Sequence, residues 1–132
     1  MTSTTTDNAT IVRAVYEDFA RGDIPAVLES FDPAIVWIES TGLIAGTYEG
    51  PEAVVEGVFV PIGSDWDGFT VDPDRVVAEG DVCVAVGTYR GTYRATGRSM
   101  TSRFAHVWEM RDGRIVRFEQ IADTESFNAA LR

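Results

Sequence analysis

Apolar residues recur at three- and four-residue spacing from Asn8 to Ala20, placing Ile11, Val12, Val15, Tyr16 and Phe19 on one face of a predicted helix. Gly22 stops that helix. Asp23 is a candidate cap for a second, short helix with Pro25 in its first turn and Val27, Leu28 and Phe31 turned inward. Asp32-Pro33 ends it, and the β-branched and aromatic run from Ala34 to Glu39 predicts a first strand. A glycine-rich loop, Gly42 to Gly50, follows. Gly50-Pro51 then opens a third helix carrying Val54, Val55, Val58 and Phe59, with Pro61 and Gly63 as its breakers.

Beyond this point the period changes from helical to alternating. Phe69 to Val71 and Val76 to Glu79 are strand candidates, Gly80-Asp81 is a turn, and Val82 to Arg90 reads as a long buried strand. Gly91 interrupts the pattern as a bulge or bend. Ser102 to Met110 and Ile115 to Ile121 alternate on either side of the connection Arg111 to Arg114, and Thr124 to Leu131 predicts a closing helix. Early helices followed by hairpin-connected strands imply an α+β fold, an antiparallel sheet with helices over one face. The length of 132 residues suits one domain, taken as residues 9–132 behind a flexible polar tail over 1–8.

Charge and composition narrow the function. Eleven basic against twenty-one acidic residues leave a net charge of −10, which disfavours nucleic acid and anionic membrane surfaces as partners. No apolar run approaches the roughly 20 residues of a spanning helix, and Thr2 to Thr10 has no secretory character, so a cytoplasmic protein is expected. One cysteine and one histidine are too few for a usual zinc site, and no metal is expected. Cys83, inside an apolar run, reads as a core residue. Phosphate-binding loops, the dinucleotide fingerprint and the nucleophile elbow are missing from the sequence.

Candidate chemistry gathers on the last strands. Phe104, His106 and Trp108 share one strand face, and Phe118 and Gln120 share a face of the hairpin partner, so an amide can lie beside the imidazole. Tyr16, Trp37 and Tyr89 are further candidates for the same lining, an apolar wall with a few orienting polar groups. Tyr48 and Trp66 join the list of large aromatics, of which about half should be plain core packing. His106 titrates near neutrality when unperturbed and is a candidate proton carrier; a hydrogen-bonded core histidine is the competing reading. Glu39 and Asp123 are candidate bases at a cavity mouth, against a solvated charge for Glu39 and a helix N-cap for Asp123. The apolar loop from Gly42 to Gly50 reads as a lid or dimer contact, and Arg90, Arg94, Arg98 and Arg103 as surface ion-pair or partner contacts.

Several phrases occur in a telling order: F-x-x-x-x-V-W-I-E over Phe31 to Glu39, then GTYEG-PEAV, WDGF, the GD turn, GTYRGTY, FAHVWEMRDGRIVRFEQ and DT. Together they resemble the SnoaL-like branch of the nuclear-transport-factor-2-like superfamily, which includes ketosteroid isomerases and polyketide cyclases. The resemblance runs from Ile11 to about Phe127. It implies a cystatin-like, cone-shaped, strongly curved antiparallel sheet around an internal cavity, covered by the N-terminal helices and paired as a homodimer through the sheet. It also implies cofactor-independent acid–base chemistry on a hydrophobic carbonyl or epoxide metabolite, or, alternatively, a non-catalytic binding or dimerisation module. By the same resemblance, His106 and Asp123 match the cyclase positions and are favoured as the acid–base pair over Glu39, which stands nearest to the isomerase aspartate of the first strand. Tyr16 resembles the isomerase's helix-borne tyrosine, with Tyr16, Tyr89 or Gln120 expected to hold a substrate oxygen.

Overall fold

A computed structural model of the chain describes residues 7–132. The expected tail therefore lies outside the described residues except at its end, where the Asp7 carboxylate accepts from the Ala9 N–H and caps α1 (Asn8–Ala20). The period read from the sequence holds: α1 buries Ala9, Val12, Val15 and Tyr16 and packs on the sheet. The turn at Gly22 leads into α2 (Ile24–Glu29), capped by Asp23 as expected.

Six strands form one sheet in the order β2-β1-β6-β5-β4-β3. They are β1 (Phe31–Glu39), β2 (Gly46–Glu49), β3 (Trp66–Glu79), β4 (Val82–Tyr93), β5 (Arg98–Arg111) and β6 (Arg114–Ala122). Every pairing is antiparallel except β1 with β6, which is parallel, so the sheet is mixed rather than fully antiparallel. The hairpins β3-β4-β5-β6 return the chain beside the strand it made first, and the direction of that last contact depends on the path of the whole chain.

Three sequence boundaries shift. Phe31 and Asp32-Pro33 belong to β1, whose register slips between Phe31 and Val36, an irregularity that accommodates the proline. Half of the glycine-rich loop is β2, an edge strand on β1. Pro61 does not end the third helix: α3 (Pro51–Val54), a π-helical segment (Val55–Phe59) and α4 (Val60–Asp65) run on as one rod. The wider π turn gives room between the Pro61 ring and the carbonyl four residues back, where a regular α-turn would clash.

β3 is one long strand with two register shifts, and these bend the sheet. One lies between Asp67 and Thr70, opposite Gly91, which keeps regular register with Met100 on its other side. The irregularity expected at Gly91 thus belongs to its neighbour. A Cβ on Gly91 would lie 3.2 Å from the Phe69 Cα, and one on Gly87 would strike the backbone of Asp72 and Pro73 at the second shift. These two glycines let β3 press close where it bulges.

The inner face of the curved sheet and the helices enclose a core that includes Val12, Val27, Ile35, Val54 and the fully buried Cys83. A second cluster, around Trp66, Tyr89, Phe104 and Phe127, seats α5 (Thr124–Ala129) against the far end. On the outer surface Arg90, Arg94 and Arg103 pair with Asp72, Asp67 and Asp74. Among the described residues no helix is long and apolar enough to cross a membrane.

Candidate active site

A cavity opens between the inner face of the sheet and the helical cover, with about 60 Å³ of room for the centres of water-sized groups, and it is continuous with solvent at its mouth. Its sheet wall carries Tyr89, His106, Trp108, Phe118 and Gln120, and β1 adds Trp37 and Glu39. Alternation explains the selection. His106 faces Gln120 across β5-β6 and Trp108 faces Phe118, so one face of each strand turns the expected polar pair and aromatic pair inward. Tyr16 comes down from α1, Phe59 and Ile62 from the helical rod, and Ile44 and Phe127 from the loop and α5. Trp37 stacks on Phe118 at 3.8 Å between ring centres, and Phe104 stacks on His106 at 4.0 Å.

The polar centre is a chain of hydrogen bonds through His106, which is 4 % exposed. The Tyr16 hydroxyl lies 2.6 Å from Nδ1 and the Tyr89 hydroxyl 2.5 Å from Nε2. Trp108 Nε1–H donates to the Tyr16 oxygen at 3.1 Å, and Gln120 Nε2–H to the Tyr89 oxygen at 2.8 Å. Gln120 is oriented from its other end, because its Oε1 accepts from the Ser40 backbone N–H at 3.1 Å. Burial lowers the His106 pKa to about 3, so the imidazole is neutral at ordinary pH. Burial likewise raises both phenols above their ordinary value.

Glu39 is the second polar feature. Its carboxyl is 6 % exposed and accepts from Trp37 Nε1–H at 2.7 Å through Oε2. Desolvation raises its pKa to about 7, only partly opposed by that hydrogen bond. The parallel register sets Ile38 opposite Glu119, which brings Glu39 beside the Gln120 end of the polar chain. Its proximity also helps to hold the Tyr89 phenol up.

The structure does not bring Asp123 to this cavity. Asp123 is exposed at the start of α5, where its carboxylate accepts from the Ser126 N–H and hydroxyl, bonds that lower its pKa. The pairing of His106 with Asp123 is corrected on that ground: the N-cap reading accounts for the residue. Three of the nine expected lining residues also fall outside the wall. Tyr48 lies over Gly57 and donates to the Ile44 carbonyl at 2.6 Å, bracing the loop at the mouth. Trp66 packs on Phe127 and Tyr93 beside a second, smaller pocket. Phe104 backs the imidazole from behind. Conversely, Phe19, Phe59 and Phe69 line the cavity, whereas their sequence pattern marks them only as core or strand residues. Apolar periodicity signals burial, but it does not separate a residue beside a void from one beside another side chain. Among the described residues, no three His, Cys, Asp or Glu side chains gather where they could hold a metal ion.

Comparison with known proteins places these features in a wider group. The model of the SnoaL-like domain family matches residues 12–118. A nuclear-transport-factor-2-like protein of Burkholderia thailandensis is 38% identical and superposes with a TM-score of 0.92 over 96% of this chain and 98% of its own. A similar protein of unknown function from Burkholderia pseudomallei is 32% identical, with a TM-score of 0.86 over 95% and 98% of the two chains. TerC, co-crystallised with polyporic acid, is 29% identical, with a TM-score of 0.84 over 94% and 97%. No match was found among curated proteins.

Proposed function

The chain belongs to the SnoaL-like domain family, and we propose that it is a cofactor-independent enzyme that moves a proton next to a carbonyl group in a small hydrophobic molecule. The observation that carries this reading is the presence, in one apolar cavity, of a buried carboxyl poised near pH 7 and two phenols tied to a neutral imidazole. A base works best when its pKa lies near the operating pH, and burial puts Glu39 there. His106 is the weaker candidate, since both ring nitrogens face tyrosine hydroxyls and burial makes it a poor proton acceptor.

In this reading Glu39 takes the proton from the carbon beside the carbonyl. The C–H electron pair moves into the carbonyl, and the enolate oxygen is held by a phenolic O–H of Tyr16 or Tyr89 in a site largely closed to water. Return of the proton from Glu39 to another carbon of the conjugated system completes an isomerisation. The aromatic walls formed by Trp37, Trp108 and Phe118 suit a flat or ringed substrate, and the co-crystallisation of TerC with polyporic acid supports reading a small organic molecule into this space.

Deuterium incorporation beside the carbonyl tests the proposal, using a panel of hydrophobic ketones in heavy water followed by proton NMR. Exchange should exceed the buffer rate, rise with pH through about 7, and fall by about a hundredfold in Glu39→Gln. Asp123→Asn should leave it unchanged. Equal exchange in wild type and Glu39→Gln would remove Glu39 as the base, and a ketone bound without exchange would favour a carrier or sensor over an enzyme. The same proposal includes a homodimer through the outer face of the sheet, where Val77 and Ile121 are 56% and 52% exposed. Analytical ultracentrifugation should show a dimer that Ile121→Glu weakens.

A further inference from the structure

The hydrogens around His106 can be counted. Trp108 Nε1–H can only donate, so the Tyr16 oxygen accepts there. Gln120 must turn Oε1 toward the Ser40 N–H, which leaves its amide N–H to donate to the Tyr89 oxygen. Two contacts remain, Tyr16 to Nδ1 and Tyr89 to Nε2, and each uses one hydrogen. A neutral imidazole carries one N–H, and the two phenols carry one O–H each, three hydrogens for two contacts. At the bare ring nitrogen the tyrosine must donate. At the other nitrogen the ring donates, and the O–H hydrogen of that tyrosine is left over. Neither hydroxyl has an acceptor other than His106 among the described residues, and both tyrosines line the cavity.

We propose that the Tyr16–His106–Tyr89 cluster offers the cavity a single hydroxyl donor, carried by whichever tyrosine accepts the His106 N–H, and that it thereby selects ligands presenting a carbonyl oxygen. This deepens the functional reading above and rests on it only in taking the cavity as a ligand site. The Nδ1–H tautomer places the donor on Tyr16, and the Nε2–H tautomer places it on Tyr89. His106 is thus a positioning residue: its tautomer decides from which wall the hydrogen is offered, and it need not touch the ligand. A carbonyl oxygen satisfies the spare hydrogen, whereas a hydrocarbon of the same shape leaves it unpaired in a buried site.

The conservative variants should redistribute this donor. In Tyr16→Phe, a buried N–H facing the phenyl ring is a worse outcome than a bare nitrogen there, so the ring should adopt the Nε2–H form with the donor on Tyr89. Tyr89→Phe should adopt the Nδ1–H form with the donor on Tyr16. Each single variant keeps one donor, and the double variant has none.

The test combines nitrogen-15 NMR of the imidazole with binding of acetophenone and its oxygen-free analogue α-methylstyrene, at a pH of about 8.5 where Glu39 is ionised and cannot donate. Wild type should show a neutral His106 and bind the ketone about tenfold tighter than the alkene. The two single variants should show opposite tautomers and retain the preference, and the double variant should lose it. A doubly protonated His106, identical tautomers in the two single variants, or a ketone preference that survives in the double variant would overturn the inference. If neither compound binds, the ligand-site reading has failed, and the imidazole shifts alone decide the hydrogen count. If the ketone preference follows the expected pattern across the variants but no deuterium exchange occurs, the enzyme reading has failed and the donor assignment stands.

Discussion

Replacing Glu39 by glutamine separates the buried acid from everything else in the cavity. Glutamine has the same shape, and its carbonyl oxygen can still accept from Trp37 Nε1–H, so near the acid end of the pH range the two proteins should have similar stability. They diverge as the pH rises. The folded-state pKa of Glu39, about 7, lies above the ordinary value of 4.5, so the folded protein holds a proton through that window which the unfolded chain has released. The stabilisation is complete below 4.5 and is lost as pH rises through about 7. That displacement corresponds to about 3 kcal/mol. His106 acts in the opposite sense: its folded value of about 3 lies below 6.5, so its contribution is present above 6.5 and lost as pH falls toward 3. Between 4.5 and 6.5 the two slopes oppose each other in wild type, whereas Glu39→Gln keeps only the histidine slope. Urea unfolding followed by far-ultraviolet circular dichroism, at steps between about pH 4 and 8.5, measures the difference. Glu39→Gln should gain about 3 kcal/mol relative to wild type across that range. A gap that stays constant with pH would show that Glu39 is not held protonated by burial, and it would remove the basis for its role as a near-neutral base.

Other consequences can be checked with single variants. Asp123→Ala should lower the urea midpoint through loss of the α5 cap and leave ligand affinity unchanged, measured by urea unfolding and titration calorimetry. Gly87→Ala drives a Cβ into the β3 backbone and the Phe104 ring, and should destabilise by about 1–3 kcal/mol in the same unfolding assay. His106→Phe removes the partner of both buried phenols; it should abolish the downward trend in stability from 6.5 toward 3, seen as a flatter acid limb in a pH series of melting curves.

Much of this molecule was legible along the chain. The spacing of Val12, Val15 and Tyr16, the caps at Asp23 and Asp123, and the alternation through Phe104, His106 and Trp108 each report a local physical requirement. Alternation even predicted the meeting of His106 with Gln120, because a hairpin places partners by simple counting. The errors lie where local rules compete with distant contacts. Pro61 marks a helix end in isolation, yet the rod continues because a π turn makes room for its ring. Gly91 marks an irregular strand, yet the extra residue sits in β3 across from it. Asp123 follows directly on the last inward-facing positions, but capping α5 turns it to solvent.

The α+β class, the strand faces and the polar character of His106 and Gln120 followed from the sequence by itself, since they depend on periods of 2 and 3.6 and on turn chemistry. The tertiary structure decided the parallel contact of β1 with β6 and the convergence of Tyr16 and Tyr89 on the two nitrogens of one imidazole. It also decided which of the candidate carboxyls is buried, Glu39 and not Asp123. Burial and pairing across 17 to 90 residues are properties of the folded path, and they set the protonation states on which the chemistry of the cavity depends.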